Sequence, residues 1–330
     1  MTTAPRLLAA FAGLVVLAAA AAGGAYVWFE RTVAAPGPLT APVTLVISPG
    51  TGVSAISRQL SQAGIVAKPW VAVLQARRTG QDRVLKPGEY RFAPRVSVIA
   101  VLDKLVRHDV VARFITIPEG LVTADIRALV QAAEGLVGDV PAAVSEGDLL
   151  PETYRYEWAD SRETLIARMG AARATALREL WAGRAPDLPL SSPEQAVILA
   201  SIVEKETGLA GERPQVAAVF INRLRRGMRL QSDPTVLYGL AQAGEPKATL
   251  TTADLERPTE FNTYVIPGLP PAPICHPGRA ALAAVLNPVA SQDLYFVADG
   301  TGGHAFAATL DDHNRNVARW RRFQRENRLR

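Results

Sequence analysis

The chain has 330 residues, 48% of them hydrophobic, with 36 Lys and Arg against 31 Asp and Glu; this is the balance of a globular protein of about two domains, not of a disordered or fibrous chain. Its single cysteine, Cys275, excludes an intramolecular disulfide framework. The net charge of +5 suits an anionic polymer or a membrane surface without identifying either, and no nucleic-acid partner is expected.

From Leu7 to Phe29, LLAAFAGLVVLAAAAAGGAYVWF runs for 23 residues without a charge. At ~1.5 Å per helical residue this exceeds the ~30 Å hydrocarbon core of a bilayer, so residues 1–29 read as a short N-terminus and a membrane anchor. A cleaved signal peptide is the alternative, since Arg6 supplies a positive leader and the alanines offer cleavage sites. The run is longer than a usual signal core, and Tyr26 and Trp28 stand where an interfacial aromatic belt would, which favours a retained anchor. Arg6 before the helix, against Arg31 offset by Glu30 after it, points to a cytoplasmic N-terminus.

Residues 30–41, ERTVAAPGPLTA, read as a short tether. Val43, Leu45 and Ile47 then alternate as a strand, SPGTG turns, and Val53, Ile56 and Leu60 recur at helical spacing until Gly64 closes the helix. A second helix is expected in PWVAVLQARRTG, a turn in KPGEYRF and a third helix in SVIAVLDKLVRH, which together make a small α+β module over 42–109. ARFITIPEG reads as a strand entering a turn, and a larger mixed α+β domain is expected over 110–330. Helices are expected over Thr123 to Ala133 and Arg162 to Leu180, separated by the loop SEGDLLPETYRYEW. Further on come a helix from about Pro214 to Arg226, two strands around the glycine turn of LYFVADGTGGHAF, and a basic, solvated terminal helix in RWRRFQRENRLR.

Between these lies SSPEQAVILASIVEKETG, a helix with Ser192 as N-cap, Pro193 at its first position, Gln195 for a capping box and Gly208 as its stop. At ~100° per residue from Val197, the bulky residues Ile198, Leu199, Ile202 and Val203 make one broad face, with Glu206 at about 180° in its middle. Glu204 falls near 340°, beside the small Ala200 and Ser201, and is expected to be solvated or paired with a basic residue. A carboxyl at the end of an apolar face is desolvated, which raises its pKa and suits a general acid near pH 7. The plainer reading is a glutamate that reaches water at the rim of the core. The helix dipole gives no structural reason to keep a carboxylate at a C-terminus.

In the next helix Val216, Val219, Phe220 and Leu224 make the apolar stripe, while Asn222 and Arg225 lie off it, as cleft lining or as a polar outer face. LQSDPTV reads as a turn in which Asp233 caps the following element. In FNTYVIPGLPPAPICHPG five prolines stiffen the backbone, so that Asn262, Thr263 and Tyr264 either wall a polymer groove or belong to a surface crossing. His276, His304 and His313 fit no metal-ligand spacing, and no nucleotide or flavin fingerprint is present, so neither metal nor cofactor is expected.

Taken in order, TIPEG, LLPETY, ILASIVEKETG, VFINRLRRGMRLQSDPTVLYG, FNTYVIPGLPPAPI and LYFVADGTGGHAF resemble the motifs of the MltG-type (YceG-like) endolytic murein transglycosylases, over about residue 42 to the end. The resemblance implies one membrane helix, a LysM-like module and a periplasm-facing catalytic domain on a bacterial inner-membrane protein. It places Glu206 at the family's catalytic glutamate and Asn222, Gln231, Asp233, Asn262, Tyr264 and His304 in motifs around the substrate cleft. His276 stands where the family pattern has Asn, and Ala307 where a polar residue often follows.

Ordinary glycosidases use two carboxyl groups. The resemblance implies one: Glu206 protonates the oxygen between N-acetylmuramic acid and N-acetylglucosamine, then accepts the proton of the muramyl 6-hydroxyl, which closes on C1 to a 1,6-anhydro end. Nascent glycan strands and the synthases that make them are the implied partners, with cleavage ending or trimming strands. Two rivals remain open at this level. One is a non-enzymatic glycan-binding scaffold; the other is a hydrolase with Asp233 or Glu204 as its second carboxylate.

Overall fold

The computed structural model describes residues 4–328. The backbone divides into two compact units, residues 1–113 with 155–160, and residues 114–154 with 161–330.

The first unit begins with α1 (Ala4–Ala34), whose Leu8–Ala34 stretch has a mean hydropathy of 2.1. Strand β1 (Val43–Ile47) and helices α2 (Val53–Gln62) and α3 (Pro69–Arg78) follow, then β2 (Gly88–Phe92) and α4 (Val98–Arg107). β2 runs antiparallel to β1 with Val43 opposite Phe92 and Ile47 opposite Gly88, so KPGEYRF, expected as a turn, supplies the second strand. Ile47, Ile56, Leu60, Val71, Tyr90, Phe92, Leu102 and Leu105 close the core. Ser97 caps α4 by accepting the Ala100 N–H at 3.3 Å, and His108 ends it in the left-handed region at φ 58°. The stretch 30–41, expected as a tether, is built into this unit. α1 continues to Ala34, and Phe29, Val33 and Leu39 are buried in the same core. Their apolar side chains hold what the Pro, Gly and Ala content suggested would be free.

Two short strands lie where the chain passes from one unit to the other: β3 (Arg113–Thr116) and, inside the stretch expected as a loop, its partner β4 (Thr153–Tyr156). In the second unit α5 (Thr123–Ala132) comes between these strands in sequence, and α6 (Arg162–Ala182), α7 (Pro193–Glu206), α8 (Arg213–Arg225), α9 (Asp233–Gln242), α10 (Thr252–Glu256) and α11 (Arg279–Leu286) follow. β5 (Tyr295–Ala298) and β6 (His304–Ala307) form an antiparallel hairpin before α12 (Leu310–Arg328). α7 is the central element, packed by α6, α8, α9 and α11. Ala196, Val197, Leu199, Ala200, Ser201, Ile202 and Val203 are all buried, so the helix is apolar almost all round rather than two-faced.

Candidate active site

α7 starts as its residues dictate, with Ser192 Oγ accepting the Gln195 N–H at 3.3 Å and Gln195 Oε1 accepting the Ser191 N–H at 2.8 Å. It ends at Glu206, because Thr207 turns extended at φ −141°. The Thr207 hydroxyl fixes this exit by accepting the Leu209 N–H at 3.0 Å and donating to Glu212 Oε2 at 3.3 Å.

Glu206 is half-buried, and Ser232 Oγ, at the N-cap of α9, donates to its Oε1 at 2.5 Å. Loss of water pushes the Glu206 pKa from 4.5 up to about 7; the Ser232 hydroxyl opposes the rise, Asp233 adds to it, and His304 and Arg223 oppose it. A carboxyl with that pKa populates both protonation states near neutrality, so it can give a proton and take one back.

Glu204 has different surroundings. Its side chain is 4% exposed, with Oε1 accepting from Arg213 Nη2 at 2.8 Å and Oε2 accepting the Gly278 N–H at 2.9 Å. Arg213 Nη2 also donates to Glu119 Oε2 at 3.0 Å. Burial pushes the Glu204 pKa up, against the Gly278 amide and Arg213. Of the two expectations for this residue, pairing holds and solvation does not. A Cβ at Gly278 would collide with Glu119 Oε1, so a side chain there would displace that carboxylate from Arg213.

The loop after α10 is sewn to the start of α9. Gln231 N–H donates to Thr263 O at 3.1 Å, Ser232 N–H to Thr263 Oγ1 at 2.9 Å and Thr235 Oγ1 to Ser232 O at 2.7 Å. Asp233 is exposed, and the Tyr264 hydroxyl donates to its Oδ1 at 2.6 Å. Gln231 is exposed with φ 51°, in the left-handed region.

His304 opens β6, with Nδ1 at 2.7 Å from Glu212 Oε2 while its own N–H donates to Glu212 Oε1 at 2.9 Å. Partial burial alone would raise the Glu212 pKa, but the bonds from His304 outweigh it and hold the carboxyl below its usual range. Gly303 leaves room for this contact, since a Cβ there would sit 2.5 Å from Glu212 Oε1. Arg223 is 7% exposed and donates to Leu294 O and Leu230 O, both at 2.6 Å, which ties the residue before β5 to the segment that precedes Ser232.

Among the residues expected from the sequence, Glu206, Asp233, Tyr264 and His304 thus share one electrostatic neighbourhood. Asn262 and Asn222 do not present free amides to it. Asn262 is fully buried, donating to the carbonyls of Asp254, Leu255 and Arg257 and accepting the Tyr264 N–H at 2.9 Å, so its role is to shape the loop. Asn222 Nδ2 donates to Ser291 O at 2.9 Å and Asp293 O at 3.1 Å, and with Arg225 it lines a separate cleft beside Pro288 and Val289. Ser232, Glu212 and Arg223 were not anticipated: Asp233 was expected as the cap of the element after LQSDPTV, whereas Ser232 holds the N-cap of α9 and Asp233 is the first residue of the helix, and a buried arginine has no periodic signature.

His276 is fully buried and structural, with Nδ1 accepting the Leu149 N–H at 3.1 Å and Nε2 lying 3.0 Å from Thr123 Oγ1. Burial pulls its pKa down to about 4, so the ring is neutral.

A model of the YceG-like family matches residues 45–319. The endolytic murein transglycosylase of Bacillus subtilis (strain 168) is 34% identical over 170 residues, which cover 52% of this chain and 46% of that protein. That of Streptococcus pneumoniae serotype 2 (strain D39 / NCTC 7466) is 29% identical over 355 residues, covering 92% of this chain and 64% of the relative. The chain therefore spans between about half and two thirds of the length of these curated relatives. A crystal structure of a YceG-like protein from Listeria monocytogenes, 29% identical, matches 83% of this chain and 98% of its own with a TM-score of 0.50.

Proposed function

Because the chain belongs to the YceG-like family, we propose that it is an endolytic lytic transglycosylase of peptidoglycan, with Glu206 as its one acid and base. The observation that carries this reading is the Glu206 carboxyl, half-buried with a pKa of about 7 and bonded, among the described residues, only to a neutral hydroxyl. As the acid it protonates the oxygen leaving C1 of N-acetylmuramic acid, and the C1–O bond breaks with release of the N-acetylglucosamine 4-hydroxyl. As the carboxylate it then takes the proton of the muramyl 6-hydroxyl, whose oxygen bonds to C1. The carboxyl is regenerated and no water is consumed. Ser232 supports the carboxylate stage by donating to Oε1.

The alternative of two-carboxylate hydrolysis is poorly served. Both oxygens of Glu204 are occupied by Arg213 and Gly278, and Asp233 accepts from Tyr264. In this reading Asp233, Tyr264, Gln231 and the His304–Glu212 pair contact sugar, and Asn262 acts through the loop it shapes. Asn222 contributes only if the separate cleft it lines takes a distant part of the strand. The module over 42–109 is LysM-like and binds glycan, α1 is a single-pass anchor with its N-terminus in the cytoplasm, and the catalytic domain faces the periplasm beside the synthases that supply new strands.

Full-length protein in detergent, incubated with uncrosslinked glycan strands and followed by mass spectrometry, tests the reaction. Anhydro ends, one water lighter than reducing ends, are expected from wild type and lost in Glu206→Gln. Reducing ends would make the protein a hydrolase, and no cleavage by a folded, strand-binding wild type would make it a scaffold.

A further inference from the structure

The end of α1 is not surrounded by solvent on all sides. Trp28 stacks on Trp70, the second residue of α3, with ring centroids 5.9 Å apart and planes 17° from parallel. Lys68 Nζ lies 5.2 Å from the Trp28 ring centroid, and the Arg78 guanidinium pairs with Glu30 and lies 5.4 Å from the Phe29 ring centroid. α3 is therefore fixed to α1 at the level of residues 28–30.

That level is the edge of the hydrocarbon if α1 is the anchor. The uncharged run begins at Leu7, and at ~1.5 Å per residue Trp28 stands about 32 Å along it, just past a ~30 Å core. Trp70, stacked on it, lies at the same depth. The outward face of α3 is unusual for a water-exposed helix: Trp70 is 50% exposed and Leu74, one turn on, is 47% exposed. Around them stand Lys68, Arg77 and Arg78, and α3 itself carries no acidic residue. Aromatic and aliphatic side chains rimmed by cations match the interfacial region of a bilayer with anionic headgroups.

We propose that the α3 face formed by Trp70, Leu74, Lys68 and Arg77 is a second membrane-contacting surface, which lies in the anionic headgroup region of the bilayer that α1 crosses. The inference rests on reading α1 as an anchor. Its consequence is that the first unit is held against the lipid by two elements, α1 and α3, rather than swinging on one helix.

Site-directed spin labelling of the full chain in phosphatidylethanolamine–phosphatidylglycerol vesicles tests this. Cys275 is fully buried, so an introduced cysteine is labelled selectively, with unsubstituted protein as the background control. Leu17→Cys reports the anchor, Leu74→Cys and Arg77→Cys report the face, and Thr44→Cys, at an exposed position of β1, reports water. Collision with oxygen relative to a water-soluble nickel complex is expected to be highest at Leu17 and at least about threefold higher at Leu74 than at Thr44. Raising the phosphatidylglycerol content should lower nickel access at Arg77. A water-like ratio at Leu74 and Arg77 with a lipid-like ratio at Leu17 overturns the second surface and leaves the anchor. A water-like ratio at Leu17 overturns both. Access to neither reagent at Leu74, or dipolar broadening between labels, overturns the proposal in favour of a protein partner or a second copy.

Discussion

Replacing Ser232 by alanine separates the proton chemistry of Glu206 from the architecture around it. The Ser232 side chain is almost wholly enclosed, at 1% exposure, and its hydroxyl serves one purpose, donation to Glu206 Oε1 at 2.5 Å. The backbone bonds that hold Ser232 to Thr263 and Thr235 survive the change. A hydrogen bond to a charged group contributes about 1.5–3 kcal/mol, and about 1.4 kcal/mol corresponds to one pH unit. Part of that is lost to relaxation, so the Glu206 pKa should climb by about 1, from about 7 to about 8.

If Glu206 is the acid proposed above, glycan cleavage is limited on the alkaline side by loss of its protonated form, so the descending limb of kcat/KM against pH should move from near 7 to near 8 in Ser232→Ala. At pH 6 the variant should stay within a few-fold of wild type. The stability profile moves the same way. The folded pKa lies above the unfolded value of 4.5, so the protonated carboxyl favours folding at low pH and that advantage is lost as pH rises through about 7, a difference of about 3 kcal/mol. In the variant the loss continues to about pH 8, measurable by urea denaturation. An unmoved or acid-shifted limb, with a rate depressed equally at every pH, would refute the reasoning and assign Ser232 to substrate instead.

Glu204→Gln should lower stability by about 2 kcal/mol with its cleavage pH profile unmoved; removing one partner of a buried pair typically costs ~3–5 kcal/mol, but Arg213 keeps Glu119. Thermal melts beside pH–rate curves check this. Asn262→Ala removes four hydrogen bonds from a fully buried side chain and should cost about 3 kcal/mol while raising KM, as Tyr264 loses its backbone tether, which denaturant titration and strand kinetics would show. His276→Asn should flatten the acid side of the stability curve. Its pKa of about 4 lies below the unfolded 6.5, so only the unfolded chain gains a proton between those values; wild type loses about 3 kcal/mol as pH falls through that window, and urea titrations at pH 7 and 4.5 should show the loss shrink in the variant.

The helices that were expected were legible because their signals are local, whereas α10 and α11 were not anticipated. Ser97 before VIAVLDKLVR, Ser192 with Pro193 and Gln195, and Gly64 after the helix of Ile56 and Leu60 each satisfy a helix end with residues a few positions away. The missed strands lack that advantage. GEYRF buries Glu89, Tyr90 and Phe92 together because Glu89 is closed over by Arg113 at 2.7 Å, so the alternation that marks a half-buried strand is broken by a distant partner. The return of residues 155–160 to the first unit is equally non-local: Glu157 reaches His108 at 2.8 Å, a contact across 49 residues.

The two glutamates of EKET show where a helical wheel stops being informative. The wheel gave Glu206 the apolar side and Glu204 the open one, which assumes a helix with a wet face. α7 is enclosed by four neighbouring helices, and Glu204 turns out to be enclosed more tightly than a rim position would allow. Burial alone therefore raises both carboxyls and cannot tell them apart. Their partners can. Glu204 meets a guanidinium and a backbone amide that occupy both oxygens; Glu206 meets one neutral hydroxyl. Arg213, Gly278 and Ser232 lie 9, 74 and 26 residues away from the glutamates they bind, beyond the reach of any window centred on the helix. The wheel selected the residue proposed as the acid, but the physical reason is the poverty of its hydrogen bonding rather than the greasiness of its face. Adding a cationic donor near Glu206 should therefore depress its pKa and suppress cleavage near neutral pH even if its burial is unchanged.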